Sequence, residues 1–297
     1  MRTHLAFPLL LAFVLLSVLP LAALWAAPAP AAAPAATAAP SATQPADEGY
    51  WVEPMKKVHA GFTGKKGTFA HFGDSITVSM AFWGSLYWDH KNLSDDANAA
   101  FQRVSTHMLP DCWNKWKGPK FGNEGSMTIR WADENVQNWL KDLNPEAALI
   151  MFGTNDVGAL KLDEYETKLR RVIQKCLDNG TIVILSTIPP KAGRDATVKE
   201  FVAAIRKVAQ DLKVPLCDYY DAVLKRRPDD WNGTAFKDVK DVYDVPTLIS
   251  RDGVHPSNPK KWQGDYSEDG LKNNGFVLRN YVTLMAYDQV IRRVLQP

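Results

Sequence analysis

The chain has 297 residues, 46% of them hydrophobic and 23% charged, with a formal net charge of +2. That length supports one large domain with a sizeable core. So small a net charge excludes a chain built around nucleic acid or an anionic membrane surface. The three cysteines, Cys112, Cys176 and Cys217, are too few for a disulfide framework. Cys176 falls in a helical pattern and Cys217 in a strand pattern, and both read as buried free thiols.

In chain order, Arg2 and His4 precede an apolar run over 5–27 with small residues after it. This is the layout of an export signal, with cleavage points after Ala26 or Ala31. The run is long, though broken by Pro8 and Pro20, so an uncleaved membrane anchor is the alternative. Either way the protein is expected beyond the inner membrane, periplasmic or extracellular, with membrane contact only through this segment. Residues 28–46 scatter Pro28, Pro30, Pro34, Pro40 and Pro45 among Ala, Ser and Thr, a tether without enough bulk to pack. The folded domain is expected over 47–297.

Gly61, Gly64 and Gly67 with Lys65 and Lys66 stand before a strand and in the wrong spacing for a phosphate loop, so they read as a turn. A strand is predicted over 68–73, a helix rich in aromatics over 77–88, and a second helix over 95–109 ended by Pro110. A short strand over 120–123 leads to a helix over 128–140, whose apolar residues recur at helical spacing. The apolar run 147–152, between Pro145 and Gly153, reads as a buried parallel strand. Then come a helix over 163–177 stopped at Asn179-Gly180, a strand over 181–187, a helix over 196–212, a strand over 214–218 and a last helix over 276–295. Strands alternating with helices predict an α/β fold with a parallel sheet covered on both faces.

Four blocks carry chemistry. In His71-Phe72-Gly73-Asp74-Ser75-Ile76-Thr77 an apolar strand stops at Gly, placing Ser75 at the carboxyl edge of the sheet, where α/β proteins bind ligands. Alone, Ser75 also fits a helix cap; as a nucleophile it needs a base. Asp252-Gly253-Val254-His255-Pro256 offers one, since Asp252 can reach the Nδ1 of His255 within one loop and fix its tautomer. Gly125, in Gly122-Asn123-Glu124-Gly125, and Asn155, in Gly153-Thr154-Asn155-Asp156, each follow a predicted strand. A glycine N–H and an Asn amide there are the donors that a developing oxyanion requires.

Taken together, the blocks resemble the SGNH hydrolases, the branch of the GDSL esterase and lipase family named for its Ser, Gly, Asn and His. The resemblance runs over about 68–295, with Ile76 where the family name has Leu. It implies a three-layer α/β/α fold with a five-stranded, mostly parallel, flavodoxin-like sheet and no metal or organic cofactor. It also implies Ser75 as nucleophile, His255 as base, Asp252 as its orienter, and an oxyanion hole from the Ser75 and Gly125 N–H groups and the Asn155 amide. The order Ser, Asp, His also fits an α/β-hydrolase, but the Gly-x-Ser-x-Gly motif is absent, with Thr77 where the second Gly belongs. No His-Glu-x-x-His supports metal-dependent hydrolysis.

Two stretches, 83–121 and 258–274, exceed what compact members of that family need. They carry Trp83, Tyr87, Trp88, Trp113, Trp116, Trp262 and Tyr266 among Asp, Lys and Asn. Flat aromatic faces with polar groups beside them suit sugar rings, and Trp83, Trp88 and Trp262 are the candidate substrate contacts. The expected activity is hydrolysis of a short-acyl, above all acetyl, ester on a small-molecule or polysaccharide carbohydrate, with no nucleic-acid partner. The alternatives are a lipid esterase or lysophospholipase of the same family, an acyltransferase, and a noncatalytic carbohydrate-binding module on the same fold.

Overall fold

The computed structural model describes residues 49–296. The export signal and the tether expected over 1–46 lie outside the described residues. The described chain opens with helix α1 (Val52–Ala60) and strand β1 (Phe69–Gly73). Five helices follow: α2 (Ser75–Val78), α3 (Gly84–Trp88), α4 (Asp95–His107), α5 (Asp111–Asn114) and α6 (Ile129–Leu143). Strands and helices then alternate: β2 (Ala147–Met151), α7 (Leu162–Asp178), β3 (Ile182–Ser186), α8 (Asp195–Asp211), β4 (Leu216–Cys217) and α9 (Tyr219–Arg226). A long, mostly irregular stretch leads to α10 (Glu268–Asn273) and α11 (Gly275–Val290).

The strands lie in the order β1-β2-β3-β4, all parallel. Every residue of β1, β2 and β3 is buried, as their continuous apolar runs require of strands covered on both faces. Sequential parallel strands joined by right-handed crossovers place the connecting helices on one face, and α6, α7 and α8 do pack side by side. The opposite face is closed by α1 and α11, with α4 and α9 packed on α11. The expected three-layer α/β/α architecture is therefore present, with one strand fewer than the five expected.

The missing strand was expected over 120–123. Instead Pro119–Phe121 form a 3-10 turn between Gly118 (φ 109°) and Gly122 (φ 84°), conformations that coil the chain rather than extend it. What remains is a single parallel bridge between Gly73 and Asn123. The buried Asn123 side chain does the work of a ladder there: its amide donates to His71 O at 2.8 Å and Trp116 O at 2.6 Å, and its Oδ1 accepts from Gly118 N at 2.9 Å.

The helix expected over 77–88 is also divided. Ser79 is extended and Trp83 takes φ 53°, so α2 and α3 are separate. Asn280 of α11 holds the break open: its Oδ1 accepts from Trp83 N at 2.8 Å and its amide donates to Ala81 O at 3.1 Å. At the opposite end of the sheet the buried Glu146 ties α1 and α4 to β2, through His59 Nε2 at 2.8 Å and His107 Nε2 at 3.0 Å.

The two additional stretches pack on each other. Lys91 N donates to Gly264 O at 2.8 Å, Tyr266 N to Lys91 O at 2.9 Å, and the Asn92 amide to Asp265 Oδ1 at 2.9 Å. Most of their aromatics turn inward: Trp83, Trp113, Trp116 and Tyr266 are buried, with Trp83 stacked on Trp113 at 4.8 Å. Cys112, Cys176 and Cys217 are all free thiols, the last two buried.

Candidate active site

β1 ends in a turn with no spare volume. A Cβ on Gly73 would fall 2.1 Å from Thr77 Oγ1 and 2.8 Å from Met151 O, so only glycine lets the chain fold back there. Asp74 then caps α2, its Oδ1 accepting from Ile76 N at 3.0 Å. From α11, Arg279 donates to Ile76 O at 2.6 Å and to Thr77 Oγ1 at 2.9 Å, its guanidinium 3.7 Å from the centre of the Phe82 ring. A four-residue helix is far too short to persist alone; the cap and this buried arginine hold it, and with it Ser75.

Ser75 and His255, 180 residues apart, meet at 2.9 Å between Oγ and Nε2. His255 Nδ1 lies 2.7 Å from Asp252 Oδ2. The other oxygen of Asp252 accepts from Ser250 Oγ at 2.8 Å, Val254 N at 2.8 Å and His255 N at 2.9 Å. Burial alone would raise the Asp252 carboxyl, but the His255 ring and these donors outweigh it and hold the group well below the usual carboxylate range. An ionised Asp252 fixes the Nδ1–H tautomer, which leaves Nε2 as the acceptor facing Ser75. The edge of the Tyr243 ring packs against His255, centroids 6.1 Å apart.

The two further blocks reach the same sheet edge. No hydrogen bond within the described residues takes up the Ser75 N–H. Gly125 N donates to Glu124 Oε1 at 2.8 Å, and a Cβ on Gly125 would meet nothing within 4 Å. This N–H is taken up by the side chain of its own neighbour, and the space beside Gly125 is open. The Asn155 amide donates one hydrogen to Met127 O at 2.9 Å, and its second hydrogen remains for another acceptor. The arrangement can move a proton from a hydroxyl to an imidazole and can offer donors to an oxygen that gains charge.

The candidate substrate contacts fare differently. Trp83 is fully buried, because its positive φ drives the ring into the core beside His71, so it cannot meet a substrate. Trp88 stands in the open at 69% exposure, with Nε1 on Asn114 Oδ1 at 3.1 Å, and Tyr87 beside it is also exposed. Trp262 is partly exposed and donates to Asp269 Oδ2 at 2.7 Å. Arg279 and Tyr243 were not singled out in the sequence. Both lie far along the chain from Ser75, and neither belongs to a motif.

Two aspartates flanking the site are buried with one oxygen each unpartnered: Asp74, and Asp156, whose Oδ1 accepts from Ile129 N at 2.9 Å. Burial, against the Ile76 N–H, pushes Asp74 up to about 6. Burial, with Asp74 nearby adding to it, pushes Asp156 up to about 7. A carboxyl whose folded value lies above its unfolded value stabilises the fold while protonated, and that contribution is lost as pH rises through the folded value. Asp156→Asn, which cannot ionise, should therefore gain in Tm relative to the parent as pH is raised from 5 to 9. Melting curves across that range check this, and a Tm difference independent of pH would refute the assignment.

The model of the GDSL-like Lipase/Acylhydrolase family matches residues 71–259, more than half of the chain. No curated protein matches. Among solved structures, a putative lipolytic protein of the G-D-S-L family from Desulfitobacterium hafniense is 15% identical, with 74% of this chain and 99% of that one covered and a TM-score of 0.48. The lipase/acylhydrolase from Enterococcus faecalis is 16% identical, with 74% and 94% covered and a TM-score of 0.47. A catalytic mutant of an acetylxylan esterase from Geobacillus stearothermophilus is 17% identical, with 78% and 96% covered and a TM-score of 0.45. The family match takes in all four blocks, from Ser75 to His255, and this chain belongs to the GDSL-like lipase/acylhydrolase family, the SGNH type of serine hydrolase.

Proposed function

We propose that the protein is an exported serine esterase that removes a short acyl group, acetyl above all, from a carbohydrate ester. The unbroken line of hydrogen bonds from Ser75 through His255 to Asp252 carries this reading. His255 Nε2 takes the Ser75 proton as Oγ bonds to the ester carbonyl carbon. The carbonyl electrons pass to oxygen, where the Ser75 and Gly125 N–H groups and the Asn155 amide donate to it. The intermediate collapses, the C–O bond to the alcohol breaks, and the imidazolium returns its proton to the leaving alkoxide. Water then enters by the same route, releasing the acid and restoring Ser75.

The character of the exposed surface supports the substrate class. Among the described residues, the exposed large apolar side chains are Met80, Tyr87, Trp88, Phe236 and Tyr243, one thioether and four aromatics. A long fatty chain needs a continuous aliphatic groove, and exposed Leu, Ile or Val are not among them. Tyr87 and Trp88 stand beside Asn114, and Trp262 beside Asp269 and Lys261, which suits the apolar faces and hydroxyl edges of sugars.

Acetyl esters should show a higher kcat/KM than matched esters of long fatty acids. A preference for the long chains in a series of acyl lengths would overturn the carbohydrate reading and favour a lipid esterase. Asn155→Ala should lower kcat by about 10²-fold to 10³-fold, the usual effect of losing one oxyanion donor, with little change in KM. Steady-state kinetics separate the two constants, and a defect confined to KM would assign Asn155 to substrate binding instead.

A further inference from the structure

Beyond β3 the chain turns through Lys191-Ala192-Gly193-Arg194 before α8 begins. This turn is wedged between two of the blocks at the sheet edge. On one side Lys191 Nζ donates to Thr154 O at 2.9 Å, one residue from Asn155. On the other, Ala192 N donates to Gly253 O at 2.8 Å, inside the loop that holds Asp252 and His255. The Arg194 guanidinium lies over Gly158, its Cζ 3.7 Å from where a Cβ on that glycine would stand.

The charges of this turn are not neutralised by the protein. On α7 and α8 cations find acids: Arg170 meets Glu166 and Asp211, Lys175 meets Asp133, and Arg206 meets Asp218. Neither Lys191 nor Arg194 forms an ion pair among the described residues, and the side-chain hydrogen bond of Lys191 goes to a carbonyl. Burial, and Arg194 beside it, hold the Lys191 ammonium below its ordinary value, with Asp74 acting in the opposite sense. Asp74 and Asp156 are fully buried and Asp252 is bound to His255, while Asp195, next in the chain, is exposed and makes no ion pair with either cation among the described residues. Lys191 is half-buried and Arg194 exposed, so the pair stands at the rim of the site, open to a ligand.

We propose that Lys191 and Arg194 form an anion-binding subsite beside Ser75 that takes a carboxylate on the alcohol part of the ester, which makes an acetylated acidic sugar the preferred substrate. This rests on the reading of Ser75 as the nucleophile of a carbohydrate esterase. A short acyl group carries no charge, so the anion belongs to the alcohol. The planar fork of Arg194 matches both oxygens of a carboxylate, and Lys191 Nζ has further N–H groups to offer after Thr154 O.

Two matched pairs of substrates test it: O-acetylated glucuronic acid against O-acetylated glucose, and 4-acetoxybenzoate against phenyl acetate. At low ionic strength the acidic member of each pair should have a kcat/KM higher by about tenfold or more, as expected for charge-assisted contacts at a partly screened site. That ratio should shrink toward one in about 1 M salt, where the screening length is ~3 Å. Arg194→Gln should collapse it, and Arg194→Lys should retain most of it. A ratio near one in the parent protein at low salt, or one unchanged in Arg194→Gln, would overturn the subsite. Sugar esters cleaved without an acidic preference would remove the subsite and leave the carbohydrate reading standing. Aryl acetates cleaved with the preference while both sugar esters resist would do the reverse, keeping the subsite and removing the sugar.

Discussion

The site depends on how closely the end of β1 approaches the helix that follows it. Between Gly73 and Thr77 there is no room for even one methyl group, because a Cβ would lie 2.1 Å from the threonine hydroxyl. That same hydroxyl accepts from Arg279, which also holds Ile76 O. Gly73, Thr77 and Arg279 are therefore one unit: a side chain at the first displaces the second and loosens the third. What the unit fixes is the direction of Ser75, which otherwise sits on a single helical turn with little stability of its own. The tertiary anchor on α11 supplies the rigidity that local sequence cannot.

Electrostatics divides the aspartates of the site into two kinds. Asp252 receives four hydrogen bonds, from the His255 ring, Ser250 and two backbone N–H groups, and is held ionised. Asp74 and Asp156 are buried with a single backbone donor each and are pushed up to about 6 and about 7. The carboxylate that meets the His255 ring keeps its charge, while burial disfavours the charged form of the other two. One residue type thus has two behaviours, set by the number of donors that reach it.

What was legible in the sequence follows the range of the forces involved. The Ser75 block shows because an apolar run ending at glycine is a local signal. Asp252 and His255 show because three residues and a glycine let one loop bring them together. The strands of the sheet are placed within a residue or two, β4 being the shortest, with only Leu216–Cys217 in the ladder. The failures are long-range. Residues 120–123 were expected as a strand, but Gly118 before them and Gly122 among them coil the chain, and Asn123 replaces the ladder with its side chain. Trp83 looked available on an aromatic helix, yet Asn280, 197 residues away, bends the backbone there and sends the ring into the core. Arg279 reads as an ordinary basic residue of the last helix, and only the packed structure reveals what it holds. Lys191 and Arg194 carry no motif, and their meaning comes from the two loops they stand between.

The central claim is that Ser75 is the residue that becomes acylated. Treating the folded protein with a fluorophosphonate ester and mapping the adduct by peptide mass spectrometry tests this directly, because only an activated hydroxyl beside a base displaces fluoride at a useful rate. The account predicts one adduct, on Ser75, with esterase activity lost in step with labelling, and no adduct in a Ser75→Ala variant that keeps the parent's circular dichroism spectrum. A folded Ser75→Ala variant that still hydrolyses esters, or labelling at another residue that abolishes activity, would contradict it.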